Sequence, residues 1–397
     1  MFRRETSASQ LNILRLKTYQ FVCLTYGFAK RIFAVMQEKQ HKVYLDVLRV
    51  IAILLVIFNH TPAFCFPFQT IGESMGVKLM LIFSAFDKVA VPLFFMISGA
   101  LLLPKQESLK ILISKRVGRF LIILLLFHVV QASYYYWMCG EAEIGFRSFL
   151  GDCYWGNSSK GYVLGWTEAY AVWFLYAYIA LLLMLPFLRA MVKGMEMMTF
   201  YYLFALQIML CVVVPAMFVL VTGFTPEGFR VLTYLPLCGN VLVYVIAGYY
   251  VEYKVSVEKM KKWHILCLIS ASGVFILLAG MMPEWARSRM GAEYVNQYIP
   301  GLSSYMLVPC ITFYIVVKKL LASASEKKWV VNIARALGGA VFVVMLVENI
   351  LRKEISVLFS DYESAYLPSI LVSCLVWISG LLLGLVCKQI PLLKKVL

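Results

Sequence analysis

Seven ionisable side chains stand inside the apolar stretches of this sequence: Asp46, Arg49, His60, Asp87, Lys88, His128 and Glu348. A charge in hydrocarbon costs at least about 2.5 kcal/mol, so each is a candidate for function. Arg49 and His60 are eleven positions apart, a helical rotation of about 1100°, which is three turns plus about 20° with a rise of about 16.5 Å. They therefore project from one helix face, a guanidinium near one membrane surface and an imidazole beyond the midplane, as expected of a helix lining a water-filled path. An imidazole takes and returns a proton near neutrality. Pro62 cannot donate to the carbonyl of Phe58, so the helix is expected to loosen beside His60 and leave that carbonyl open to substrate or water. Asn59 adds a polar group there. The competing reading has Arg49 reaching to headgroups and His60 in an ordinary interhelical hydrogen bond; their shared face favours the functional one. His128 has no spaced partner and reads as a satisfied core or pore residue. Asp87 and Lys88 lie near the outer interface, where snorkelling, mutual pairing and a site role stay open.

The elements that must position these groups are membrane helices. The 397 residues are 62% hydrophobic and 15% charged, with a mean hydropathy of +0.80, against about 25% charged in soluble proteins. Disorder, collagen and a secreted disulfide scaffold are excluded, and no polar stretch is long enough for a soluble domain. The pattern predicts an all-α, polytopic transmembrane helix bundle of about ten spans, near 46–66, 76–103, 118–138, 169–188, 199–222, 232–251, 264–283, 300–317, 336–353 and 366–387. Of the 37 Lys and Arg, 27 fall in the N-terminus, the alternate loops that share its side, and the C-terminal tail. The cytoplasmic side retains Lys and Arg, so both termini are expected there. The net charge of +16 is thus a topology signal rather than a nucleic-acid one.

Residues 1–43 form a basic cytoplasmic N-terminal extension. Leu11–Met36 reads either as an interfacial amphipathic helix or, since Met36 stands before a polar run and the first span, as preceding the natural start. No short apolar core with a cleavage site marks a removable signal peptide. Cys139 and Cys153 share an exterior loop and could form a disulfide; the cysteines in spans act as small apolar residues. No phosphate loop, HExxH or GxSxG is present, and no metal site is expected. Gly380 and Gly384 form a small-xxx-small pair suited to close helix packing.

Four motifs in order carry a resemblance. Tyr44–His60 resembles the opening of the acyltransferase-3 family, with its Arg-x10-His signature at Arg49 and His60. Val91–Leu103 is similar to the family's Phe-Phe-x-x-Ser-Gly helix, Arg116-Val-Gly-Arg119 to its cytoplasmic Arg-x-x-Arg, and Trp173-Phe-Leu-Tyr176 with Pro186 to its Trp-Tyr/Phe-Leu-Tyr helix. The resemblance runs from about residue 43 to the end, making 44–397 an acyltransferase-3-like transmembrane domain. Two departures stand out. Where the family often has a His in its penultimate helix, this chain has Glu348, and Ala171-Val172 replace a His before the Trp motif.

The resemblance implies a membrane-bound O-acyltransferase of a bacterial cytoplasmic (inner) membrane, taking an acyl group, by likeness acetyl, from acyl-CoA to a hydroxyl of a cell-surface or lipid-linked glycan. Acetyl-CoA is then the donor co-substrate, and the partners are the saccharide acceptor and membrane lipids, with no nucleic acid. His60 is the implied general base or acyl-imidazole former, Arg49 holds the pantetheine arm or steadies developing charge, and Glu348 is a third catalytic candidate. Arg116, Arg119 and Lys115 suit the CoA phosphates, because guanidinium forks pair with phosphate oxygens; by spacing alone they are ordinary inner-face charge. The alternative is a transporter or exporter of a polysaccharide or small solute, which should show inverted repeats with matching Gly/Pro breaks. Pro92, Pro186, Pro215 and Pro309 show no such symmetry.

Overall fold

The structure, a computed structural model, describes residues 41–65, 75–138, 172–222, 241–290, 305–359, 362, 365–391 and 393. The extension over 1–40 and the Cys139–Cys153 loop lie outside the described residues. So do the side chains of His128 and Trp173, although both positions are helical.

Helix occurs in every one of the ten predicted spans, and the described residues contain no strand. The main elements are α1 (Val43–Asn59), α2 (Met75–Asp87), α3 (Ala90–Leu102), α4 (Gly118–Met138), α5 (Val172–Gly194), α6 (Met197–Ile208), α7 (Val214–Thr222), α8 (Leu242–Tyr253), α9 (Lys262–Met290), α10 (Leu307–Leu320), α11 (Lys328–Ser356) and α12 (Tyr366–Cys387). Among the described residues six stretches are long and apolar enough to cross a membrane: Leu79–Leu102, Phe174–Gly194, Met197–Met217, Lys262–Met281, Lys328–Ser356 and Tyr366–Cys387. This is a multi-pass membrane protein. The number of crossings beyond these six, and the side on which the termini lie, rest on the charge distribution. Rows of exposed Leu and Ile on α4 (Leu121, Ile122, Leu125, Leu126) and α9 (Leu266, Ile269, Leu277) are surfaces that only a hydrocarbon solvent accommodates.

Two predicted spans are interrupted, and proline chemistry explains both. The first was expected to run to residue 66, but α1 ends at Asn59 and a short turn resumes at Pro62–Cys65. The carbonyl of Phe58, expected to be open, accepts from the Thr61 backbone N–H at 2.9 Å, while His60 N–H is shared between Val56 and Ile57 carbonyls at 3.0 and 3.1 Å. The chain tightens into a three-residue turn and satisfies itself, so that part of the expectation is corrected. In the second span α2 and α3 are separated at Lys88-Val89. Pro92 cannot donate to the Lys88 carbonyl, so the continuous ladder fails there.

Side chains tie α1 into the bundle at both ends. Glu252 of α8, buried, accepts from Tyr44 (2.6 Å), Tyr314 (2.9 Å) and Lys318 (3.3 Å), linking α1, α8 and α10. Trp377 of α12 donates to the Val50 carbonyl at 3.2 Å, and Thr61 pairs with Ser373 at 2.9 Å.

In lipid the apolar effect does not drive helices together, so close packing has to come from small residues. The Gly of the Phe-Phe-x-x-Ser-Gly motif supplies it. A Cβ on Gly99 of α3 would stand 1.8 Å from the Val245 carbonyl oxygen of α8, and one on Gly248 would stand 1.8 Å from that of Met96. The helices cross backbone to backbone. On the far side Gly380 and Gly384 of α12 pack against Val344 and Ala340 of α11, as their spacing predicted. Because neither backbone can retreat at the α3–α8 crossing, Gly248→Ala is expected to cost about 1–3 kcal/mol. It should lower the detergent melting temperature, whereas Gly273→Ala, with nothing within 4 Å, should leave it unchanged.

Candidate active site

At one end of the bundle the structure joins two residues 288 positions apart. The Nδ1 of His60 lies 2.6 Å from Oε1 of Glu348, which α11 carries into the core with a side chain only 1% exposed; the imidazole is 12% exposed. α11 packs along α1, and His60 directly follows Asn59, the last residue of α1. With Glu348 ionised, the hydrogen-bonding proton sits on Nδ1, and Nε2 carries the lone pair. A carboxylate held against one imidazole nitrogen fixes ring and tautomer and stabilises the imidazolium that forms when the other takes a proton. That is the equipment of a general base. The second Glu348 oxygen is buried with no hydrogen-bond partner among the described residues.

Beside the dyad, the Lys88 ammonium donates to Asn59 Oδ1, next in sequence to His60, and stands 3.5 Å from Asp87, which is fully buried. Of the readings left open for Asp87 and Lys88, mutual pairing is the one found.

The basic end of the bundle holds the predicted arginines. Arg49 donates to Asp46 at 2.7 Å and is 30% exposed, so it stays within its own helix rather than facing lipid unpaired. Its charge, with those of Arg116 and Arg119, acts on the buried Tyr178 hydroxyl of α5, which lies near Ser98 of the Phe-Phe-x-x-Ser-Gly motif. Tyr178 is therefore where three motifs meet. Asp46 lies against Gly338 and Lys388 against Gly339, where a side chain would collide with either. Burial pulls the Lys388 ammonium below its ordinary value, with Asp46 pulling it up and Arg49 down.

Arg116 is engaged. It sits in a π-helical stretch, Leu112–Val117, that leads into α4, and its Nε and Nη2 donate to the two oxygens of Glu107 at 2.8 and 2.5 Å. Glu107 also accepts from Arg189 at 3.3 Å, while Arg189 donates to the Leu102 carbonyl at 3.0 and 3.1 Å. Lys115 and Arg119 are exposed. The three predicted phosphate ligands thus occupy one end, but with different accessibility, and a phosphate would have to exchange with Glu107 to reach Arg116. Glu107, Tyr178, Arg189 and Lys388 are site residues that the sequence did not single out. Glu107 carried one usable signal, a lone acid in an otherwise basic loop.

The sequence profile of the family described as an acyltransferase domain, acyltransferase-3, matches residues 42–388. The chain belongs to the acyltransferase-3 family. Neither the curated proteins nor the solved structures contain a match. As an acyltransferase-3 member it is a membrane acyltransferase, and the family's motifs fall into two clusters: the Arg-x10-His helix links them, the Phe-Phe-x-x-Ser-Gly and Arg-x-x-Arg motifs converge at the basic end, and the penultimate helix supplies Glu348. The Glu found where the family often has His keeps a polar partner on His60.

The arginine pair on Glu107 holds its carboxyl below the ordinary value of 4.5, the Arg116 hydrogen bond being the main cause. A depressed carboxyl stabilises the fold above its unfolded value and loses that contribution as pH falls through the folded one. The melting-temperature gap between this acyltransferase and its Glu107→Gln variant should therefore be constant above pH 4.5 and close as acid titrates the pair. At the dyad, Glu348→Gln keeps the size but removes the charge that stabilises an imidazolium. It should lower the transfer rate by about 10²–10⁴-fold with acyl-CoA affinity retained, read by single-turnover transfer alongside equilibrium binding.

Proposed function

We propose that this acyltransferase moves an acyl group, acetyl by family likeness, from acyl-CoA held at the basic end of the bundle to a hydroxyl of a cell-surface or lipid-linked glycan presented at the His60 end. The observation that carries the reading is the 2.6 Å contact between His60 and a buried Glu348. Ionisable groups inside an apolar bundle are rare and mark functional sites, and this pair is built as a base.

In the proposed reaction, His60 Nε2 takes the acceptor hydroxyl proton as that oxygen attacks the thioester carbonyl. The carbon–oxygen bond forms, the carbon–sulfur bond breaks, and the thiolate leaves with the proton from the imidazolium. Glu348 holds the ring in place through both transfers and is not itself protonated. Arg49, three turns nearer the basic end, sits between the donor's charged end and the dyad, where it steadies the pantetheine arm. Arg116, Arg119 and Lys115 supply positive charge that draws the donor's phosphates to this end, Arg119 and Lys115 through exposed side chains. The charge distribution along the sequence supports a cytoplasmic position for this basic end, where acyl-CoA is found; the bacterial inner membrane is what the family likeness implies.

Labelled acetyl-CoA incubated with the purified protein and a glycan extract tests the whole reading: label should appear on saccharide. His60→Ala should reduce transfer by about 10²–10⁴-fold and leave acyl-CoA binding intact. Loss of binding in step with transfer would remove His60 from the role of base, and a protein that moves solute but leaves the sugar unlabelled would be a transporter.

A further inference from the structure

A cavity of about 490 Å³ opens beside the Arg116–Glu107–Arg189 group, between the loop that follows α3 and the ends of α5 and α8. Its size is that of a small-molecule site. The charged residues that line it are Lys105, Arg189 and Lys193 against Glu107 alone, a surplus of two positive charges, and both Glu107 oxygens are already committed to arginines. One wall is aromatic. Tyr249 faces the cavity, backed by the stacked ring of Phe200, centroids 6.5 Å apart, and by Tyr253 at 5.1 Å, so its position is set by a packed aromatic row. Cations that recognise phosphate oxygens and an aromatic face that accepts a base form the recognition set for a nucleotide.

We propose that this cavity seats the phosphoadenosine end of the acyl-CoA donor, with the base against Tyr249 and the phosphates among Lys105, Arg189 and Lys193. This rests on the acyl-CoA reading above and seats the nucleotide in the cavity, whose lining does not include Lys115 or Arg119. An anionic phospholipid headgroup would satisfy the cations but makes no use of an aromatic wall.

The test measures binding of adenosine 3′,5′-bisphosphate to the full-length protein in phosphatidylcholine nanodiscs. This probe has neither thioester nor pantetheine, so the result is independent of whether acyl transfer occurs. Lys193→Glu should weaken it by about tenfold or more. Tyr249→Leu should weaken the nucleotide to a similar degree while leaving inorganic pyrophosphate binding unchanged, a split that general unfolding would not produce. Unchanged affinity in both variants, or loss confined to Lys115→Glu and Arg119→Glu, would overturn the assignment. So would Lys193-dependent binding of phosphatidylglycerol with no nucleotide binding at all. If the nucleotide binds through Lys193 and Tyr249 yet no label reaches a sugar, the site stands and the proposed reaction falls; if label transfers while both variants bind normally, only the site falls.

Discussion

Every charged group that this chain places in hydrocarbon needs a partner of its own, because water is absent and an isolated charge is expensive. The bundle meets that constraint pair by pair. His60 meets Glu348, Lys88 meets Asp87 and Asn59, Arg49 meets Asp46, and Lys318 meets Glu252. Each pair except Arg49–Asp46 and Lys88–Asp87 joins two different helices, so satisfying the charges also fixes how those helices are arranged. The site and the fold are stabilised by the same contacts.

Those contacts require helices close enough for short side chains to reach. Gly99 with Gly248, and Gly380 with Gly384, remove the side chains that would hold neighbouring backbones apart. Gly338 and Gly339 do the same for Asp46 and Lys388. The glycine of the Phe-Phe-x-x-Ser-Gly motif therefore acts through packing. The serine beside it donates to the Phe94 carbonyl at 2.8 Å and lies near Tyr178, so one motif spans both the crossing of α3 over α8 and the basic end.

The two clusters have different chemistry, and α1 spans the distance between them. At the His60 end the dyad is buried, and two cations beside it are engaged with polar neighbours, Lys88 with Asn59 and, one turn beyond Glu348, Arg352 with Asn349. The basic end is partly exposed and carries Arg49, Arg116, Arg119, Arg189 and Lys388. A molecule with a polyanionic head and a thioester at the end of a long arm matches that polarity, head to the basic end and reactive carbon to the imidazole.

Much of this was legible in one dimension because it depends on local properties. Helix content and the apolar stretches follow from composition over windows of about 20 residues, and the Gly380–Gly384 contact from spacing. The end of α1 before His60 was only half legible: Pro62 announced a break, but whether Phe58 kept an open carbonyl depended on how the next three residues turned. What the tertiary structure alone decided is which groups meet. Glu348 read as a catalytic candidate without a partner named for it until α11 was laid along α1, and Arg116 read as an open phosphate ligand until Glu107 was found on it. Partner choice across 288 residues is set by helix packing and close approach, which no periodicity encodes; a sequence shows that a buried charge must be answered, and only the folded bundle shows by which residue.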